Sequence, residues 1–354
     1  MRKNHCLYSS RPTKNLKLPQ ISLRSGIKFI GTISGSILDA ATHAGVLLPH
    51  SCKTGRCSTC KCKVLNGKTR ELQAEIGLSE QDKAEGWILS CVRSVETDVT
   101  LEVDNLSGIE LPIVKTIPCR ISHLQLLAPD VIQVKLRLPP NTDFKFIPGQ
   151  YVDVIGPFGV RRSYSLANGS FSDKLLELHI RAVEVGVMSE YWFSKAKVDD
   201  LLRINGPLGT FFLRDVSALD LVFLATGTGF APVKAILETL SDLSPEYAPR
   251  SVTVLWGGRK LSDIYYDFEK NSTNFMFIPV LSRADETWTG VRGYVQQQLL
   301  SFLPDLSRAA VYACGSQAMI RDSQIKLVKA GLPANRFYAD AFLSSGNFNH
   351  IEDN

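Results

Sequence analysis

"SCKTGRCSTC", residues 51–60, sets Cys52, Cys57 and Cys60 within nine positions, and Cys91 follows further on in "ILSCV". The spacing is C-x4-C-x2-C with one distant cysteine, four sulfurs in a pattern that points to a metal site. Structural zinc usually shows two C-x2-C pairs instead. The rest of the chain bounds the reading. Its 354 residues are 44% hydrophobic and 21% charged, enough for two or three domains that each bury a core. No stretch approaches the run of about 18 apolar residues that spans a bilayer. The polar, basic start "MRKNHCLYSSRPTKNLKLPQ" lacks the apolar core of a secretory signal. A cytoplasmic protein with no membrane partner is expected. A net charge of +5, with Lys and Arg interspersed among acids, gives no sign of a nucleic-acid partner. Eight cysteines in a reducing compartment are poor candidates for disulfides, which leaves metal ligation, redox chemistry or plain burial.

The run C-x4-C-x2-C is the plant-type [2Fe–2S] spacing. Gly55, Ser58 and Thr59 are small, so the loop can bring backbone N–H groups close to the sulfurs. Structural zinc and a chance cluster of buried thiols are the alternatives. Upstream, "ISLRSGIKFIGTISG" reads as a hairpin and "SILDAATHAGVLL" as a helix starting after an N-cap at Ser36. Downstream, "LSEQDKAEGWILSC" opens a short helix at Ser79 and returns the chain to Cys91. With residues 1–19 as an extension, residues 20–104 resemble a plant-type ferredoxin domain. That resemblance implies a β-grasp fold with Cys52, Cys57, Cys60 and Cys91 as cluster ligands. Cys6, Cys62 and Cys119 fall outside the spacing and read as ordinary thiols. Lys53, Arg56, Lys61 and Lys63 flank the ligands and predict a positive rim that steers an acidic acceptor, against the plainer reading of a solvated loop.

"LEVDNLSGIELPIVKTIP", with Pro112 and Pro118, reads as a linker at about 105–115, after which "CRISHLQLLAPDVIQVKLRL" alternates as strands do. In "RRSYSLAN" the alternation puts Arg162 and Tyr164 on one face and Ser163 and Ser165 on the other. An arginine for a pyrophosphate, a ring for an isoalloxazine and a hydroxyl for its reactive nitrogen are what a flavin site requires. The turn Gly186, Val187, Met188, Ser189 joins the strand "LELHIRAV" to the helix "MSEYWFSKA". There the N–H groups and the helix dipole suit a pyrophosphate, with Ser189 as N-cap; a plain helix cap is the alternative. "PGQY", "RSYS" and "GVMS", in that order over residues 116–214, resemble the FAD-binding barrel of the ferredoxin-NADP reductase superfamily. The resemblance implies an antiparallel flavin-binding β-barrel. It assigns FAD contacts to Arg162, Tyr164, Ser165 and the turn Gly186 to Ser189.

From residue 215 the period changes again. "LDLVFLATGTGFAPVKAILETL" is a buried strand, a turn at Gly227, Thr228 and Gly229, and a helix, the opening of a dinucleotide-binding parallel sheet. "SVTVLWGGRK", "FMFIPVLSR" and "AAVYACGSQAMI" supply further strands, with helices expected between them. The superfamily resemblance places Cys314 and Gly315 beside the nicotinamide, and a buried small side chain is the alternative for Cys314. This chain lacks the proline that often follows that Cys-Gly, having Ser316, Gln317 and Ala318. Phe342, in "FYADAFLSS", resembles the terminal aromatic that covers the flavin, or else it is core. Arg259 and Lys260 could take the 2′-phosphate of NADPH, but Asp263 and Asp267 oppose it, so NADH is favoured with NADPH left open.

The expected architecture is thus multidomain α+β and α/β: ferredoxin, flavin barrel and nucleotide domain in series. Tyr164, Ser165 and Cys314 are the catalytic candidates. A hydride donor gives two electrons and an iron–sulfur cluster takes one, so FAD must stand between NAD(P)H and the cluster. Two families share this order, reductase components of multicomponent oxygenases and reductases of 3,6-dideoxysugar synthesis. "VRRSYSLAN", "INGPLGTFFLRD", "ATGTGFAPVKAI", "FYADAF" and the terminal "NHIEDN" resemble the second. That resemblance implies, as acceptor, a dehydrase carrying a pyridoxamine phosphate sugar adduct; an oxygenase is the other acceptor.

Overall fold

The computed structural model describes residues 18–104, 106, 108–171, 173–267 and 274–342, so Cys6, most of the N-terminal extension and the terminal "NHIEDN" lie outside it. Strands β1 (Gln20–Leu23) and β2 (Lys28–Ile30) form the expected hairpin. Helix α1 (Ile37–His43) follows, and the Ser36 hydroxyl caps it by accepting from the Asp39 N–H. Next come β3 (Lys61–Asn66), β4 (Thr69–Glu71), α2 (Glu80–Ala84), β5 (Trp87–Leu89), β6 (Arg93–Val95) and β7 (Val99–Glu102). Ser79 and Asp82 close a capping box on α2, as the "S-x-x-D" spacing predicts. The main sheet runs β2-β1-β7-β3-β5, with β1 and β7 parallel and the other pairs antiparallel. Ile37, Leu38 and Ala41 of α1 bury against Ile21, Phe29 and Leu101 of the sheet. This is a β-grasp module with the cysteine loop on one edge, between α1 and β3.

The second module is built from β8 (Lys115–Ala128), β9 (Val131–Arg137), β10 (Tyr151–Ile155), β11 (Arg161–Ser165), β12 (Leu175–Arg181), α3 (Val187–Glu190) and β13 (Leu201–Leu208). The strands pair antiparallel in the order β11-β10-β13-β8-β9-β12, and a bridge from Leu166 to Leu178 joins the two edges into a closed barrel. Closure leaves no free edge and lets Val134, Leu136, Val152, Val154, Leu176 and Leu178 fill the interior. Helix α3 runs on as a π turn, Tyr191–Lys195, which carries Trp192 into the barrel core.

The third module contains β14 (Asp220–Thr226), α4 (Phe230–Thr239), β15 (Ser251–Gly258), β16 (Phe275–Leu281), β17 (Val291–Arg292), α5 (Val295–Phe302), β18 (Ala309–Ser316), α6 (Gln317–Lys329) and β19 (Phe337–Phe342). All pairs are parallel, in the order β17-β16-β15-β14-β18-β19. The first strand, β14, has β15 on one side and β18 on the other, so successive connections leave in opposite directions and open a crevice at their carboxyl ends. One connection departs from the expected helix in its described part. Between β15 and β16 the described residues hold a 3-10 turn, Leu261–Asp263, and no α-helix. Among the described residues no helix is long and apolar enough to cross a membrane.

A buried charge network locks barrel to nucleotide domain. Lys234 of α4 is 4% exposed and donates to the Ala167 carbonyl at 2.9 Å and to Glu238 at 2.6 Å, with Glu177 of β12 at 3.2 Å. His179 donates to the same Glu177 at 2.8 Å. Burial pushes the Glu177 carboxyl up, but the His179 bond and the Lys234 charge outweigh it and pull it to about 2. The group therefore contributes stability above its ordinary value of about 4.3 and loses it as pH falls toward 2. Lys234→Met strands a buried carboxylate and is expected to cost about 3–5 kcal/mol in urea unfolding at pH 7. A cost that stays the same when the unfolding is repeated at pH 3 would refute this origin.

Candidate functional site

The loop of residues 51–60 winds through left-handed backbone at Lys53 (φ 55°), Gly55 (φ 71°) and Ser58 (φ 63°), a path that turns successive N–H groups inward. The Thr54 N–H donates to Cys52 Sγ at 3.4 Å. The four thiols meet as two pairs. Cys60 donates to Cys91 Sγ at 3.2 Å, and Cys57 bonds Cys52. These bonds hold Cys52 and Cys91 below the ordinary thiol range and their partners well above it. Among the described residues no three metal-binding side chains gather around one point. Two facing thiol pairs, with backbone donors around them, fit a two-iron cluster in which each iron takes two protein thiolates. Cys62 and Cys119 stay out of the set: both are buried in module cores, and burial pushes each thiol up to about 12.

The positive rim is thinner than expected. Lys61 and Lys63 alternate onto one face of β3, where Trp87 of β5 lies opposite Lys63. Their ammonium groups sit 4.6 and 5.5 Å from that ring, and Lys61 also pairs with Asp82. Lys53 remains exposed. The loop also docks on the other modules. Cys57 packs in one core with Val222 and Ala341, and Gln317 donates its side-chain amide to the Arg56 carbonyl at 2.7 Å.

On the flavin side, β10 and β11 pair Val152 with Tyr164 and Val154 with Arg162, so Arg162 and Tyr164 share a face and Ser165 takes the other, as alternation predicts. The Tyr164 hydroxyl accepts from the Trp192 indole at 3.0 Å, and the two rings meet edge to face at 6.2 Å. Burial pushes the Tyr164 phenol up to about 12, so it stays neutral. Two details differ from the sequence reading. The helix starts earlier, with Gly186 as N-cap, and Ser189 instead accepts from the Val183 N–H at 2.9 Å, bracing the loop that enters the turn. Met188 turns its side chain into the barrel core, where a Cβ on Gly156 would lie 2.4 Å from its sulfur. Only the backbone of Met188 is left for a ligand, while Val187 is 51% exposed. Ser165 is buried.

On the nicotinamide side, Gly227, Thr228 and Gly229 form a 3-10 turn at the end of β14. Gly229 passes so close to β18 that an added Cβ would lie 2.3 Å from the Cys314 carbonyl oxygen. Gly315 has φ +132° and would clash with Thr226 Oγ1 at 2.2 Å. Thr226 Oγ1 accepts the Ser316 N–H at 3.0 Å, knitting the two strand ends together. The Cys314 thiol is fully buried with Phe223 and Tyr312, and burial holds its proton well above the ordinary range. Phe342 is 37% exposed and stands in register with Ser316 at the mouth of the crevice. Sequence reading missed Arg181, the charged last residue of a buried strand. Its guanidinium reaches across from the barrel to Asp263 at 2.8 Å, with one nitrogen 2.8 Å from where a Cβ on Gly227 would be. Asp263 also accepts the Arg259 and Lys260 N–H groups, at 2.6 and 3.2 Å.

A turn that excludes side chains, crossed by an arginine, fits a nucleotide's phosphates. The barrel face carrying Arg162 and Tyr164 beside the Gly186 turn fits a flavin dinucleotide. Cluster loop, barrel and switch-point crevice in one chain define an NAD(P)H-dependent flavin iron–sulfur oxidoreductase, an electron-transfer reductase serving a partner enzyme. Family models agree: a 2Fe-2S iron-sulfur cluster binding domain matches residues 24–96, an oxidoreductase FAD-binding domain 118–213 and an oxidoreductase NAD-binding domain 223–324. The CDP-6-deoxy-L-threo-D-glycero-4-hexulose-3-dehydrase reductase of Yersinia pestis is 40% identical over 91% of this chain and 97% of that one. Protein RfbI of Salmonella typhimurium is 37% identical over 93% and 97%. The crystal structure of the Amycolatopsis cytochrome P450 reductase GcoB, 28% identical, superposes with a TM-score of 0.69 over 92% of this chain and 98% of that one. The chain belongs to the family of the Yersinia reductase, with [2Fe–2S], FAD and NAD(P)H as its cofactors.

Proposed function

We propose that the chain carries electrons from NADH to the dehydrase of a CDP-hexulose, the acceptor that completes deoxygenation of a nucleotide-linked sugar. The full-length similarity to the Yersinia dehydrase reductase carries this reading. When bound, the flavin converts a two-electron hydride donor into a source of single electrons. The protein's own groups hold the participants. Arg162 and the backbone of Gly186, Val187, Met188 and Ser189 receive the flavin pyrophosphate. Tyr164, fixed by Trp192, and Ser165 bound the ring. Gly227, Thr228 and Gly229 receive the nicotinamide nucleotide, Gly315 flanks its ring, and Phe342 covers the entrance. Cys314 contributes its backbone, since its thiol is sealed in the core. Asp263, filling the end of β15 with a carboxylate, favours a ribose 2′-hydroxyl over a 2′-phosphate and so NADH over NADPH. Domain limits at 20–104, 116–214 and 215–354 accompany this assignment.

The acceptor is tested by reducing the holoprotein anaerobically with NADH, then adding either the purified CDP-hexulose dehydrase loaded with pyridoxamine phosphate and substrate, or an oxygenase component. Reoxidation of the cluster by the dehydrase alone is expected. Reoxidation by the oxygenase alone would transfer the assignment to that class, which the likeness to a cytochrome P450 reductase favours. Arg181→Gln is expected to raise the KM for NADH about tenfold with kcat little changed, the loss of one charge-assisted contact to phosphate. An unchanged KM would remove Arg181 from the nucleotide site.

A further inference from the structure

The cluster loop is gripped from two sides one residue before its first ligand. Ser51 is 9% exposed, and its hydroxyl donates at 2.9 Å to the carboxylate of Asp340, itself 5% exposed on β19. The carbonyl of the same Ser51 accepts from the Tyr151 hydroxyl, at the start of β10, at 3.0 Å. The nucleotide sheet therefore holds the side chain of Ser51 while the flavin barrel holds its peptide. One residue earlier, the His50 N–H donates to Thr210 Oγ1 at 2.8 Å and the Thr210 N–H donates to the His50 carbonyl at 3.1 Å. Asp340 also stands in register with Cys314 of β18, so a pair of buried residues on neighbouring strands links the nicotinamide end of the crevice to the cluster loop. A buried carboxylate is costly, and closing an interface would be cheaper with an apolar side chain. Its value lies in direction: a hydroxyl pointed at a fixed oxygen sets the loop in one place, as apolar packing does not.

We propose that Asp340 and Ser51 are positioning residues for electron passage from flavin to cluster: their buried contact, with Tyr151 on the same peptide, fixes Cys52 against the seam between flavin barrel and nucleotide sheet. The proposal rests on the order nicotinamide, flavin, cluster. With the cofactors bound, each NAD(P)H would give a hydride, two electrons and one proton, to the flavin; the electrons would pass to the cluster singly and the proton to solvent.

The test is anaerobic stopped-flow on the holoprotein, following flavin and cluster absorbance separately in wild type, Ser51→Ala, Asp340→Leu and Asp340→Asn, with iron and FAD content measured on each. Flavin reduction by NADH is expected to stay within about twofold of wild type in all four. Cluster reduction is expected to slow about tenfold or more in Ser51→Ala and Asp340→Leu, since small misplacements of reacting groups are amplified in rate. Asp340→Asn keeps an oxygen for the Ser51 hydroxyl and should recover most of the rate. Hydrogen exchange over residues 50–60 should rise in Ser51→Ala at unchanged iron content. Equal cluster-reduction rates in the four proteins would overturn the proposal, as would iron loss with a normal rate per remaining cluster. Wild-type flavin reduction without cluster reduction would instead refute the electron order, and the exchange data would still report whether the loop is held.

Discussion

Replacing Cys60 by alanine is expected to abolish the visible absorbance and the reduced-state EPR signal of the cluster. Electron delivery to a protein acceptor should fall by more than about a hundredfold, beyond the loss expected from disturbing a group that merely bonds to a ligand. Cys60 is 3% exposed and faces Cys91 across 3.2 Å, so on the proposed ligand set its removal would leave one iron short of a protein thiolate. NADH-dependent ferricyanide reduction should persist, because the barrel and crevice make no use of that sulfur. The control is Cys62→Ala. Cys62 lies two residues on, but it is sealed in the ferredoxin core with Ile88 and Leu101, so its loss should leave a chain that still holds iron. An unaltered cluster spectrum in Cys60→Ala would contradict the ligand assignment. So would stoichiometric zinc and no iron in carefully reconstituted wild type.

Gly229→Val should act at the opposite end of the wire. The new side chain would begin 2.3 Å from the Cys314 carbonyl oxygen and 2.8 Å from the Gly315 Cα, and neither backbone atom can swing aside as a flexible side chain would. The turn after β14 and the end of β18 would have to separate, which on the proposed site would displace the bound nucleotide. Shifts of about 1 Å cost about a hundredfold in rate, and that is the expected fall in kcat/KM for flavin reduction by NADH. Reduction of flavin and cluster by dithionite should proceed normally, showing that the lesion is confined to nucleotide use. A variant with intact flavin content and unimpaired NADH oxidation would show that the two loops do not form the site.

Much of this was legible in the residues because the signals were local. The tight turn of the C-x4-C-x2-C loop, the caps at Ser36 and Ser79, the strand–turn–helix around Gly227 and the alternation at Arg162 and Tyr164 each state their geometry within a dozen positions, and each appears in the structure. What stayed hidden depends on pairs distant in sequence. Lys61 and Lys63 read as rim charges until β5 places Trp87 beneath them. Ser189 looked like a cap because a cap and a residue in the first helical turn share the same composition cues, and the entering loop decides between them. Arg181 carried a faint signal, a charge at the end of a buried strand, and Asp340 a charge among the apolar residues of its strand, but nothing in the sequence names the module each reaches across to.

The seat for the cluster loop is the last strand described. Ser51 and its partner Asp340 are separated by 289 positions. A ribosome releases the ferredoxin module long before β19, and modules fold as they emerge. Throughout that interval the cysteine loop has no lid formed by the nucleotide sheet. The thiols of the nascent loop therefore stand open to solvent until β19 is made, and the position of Ser51 ahead of Asp340 in the chain sets the order in which the loop forms and is seated.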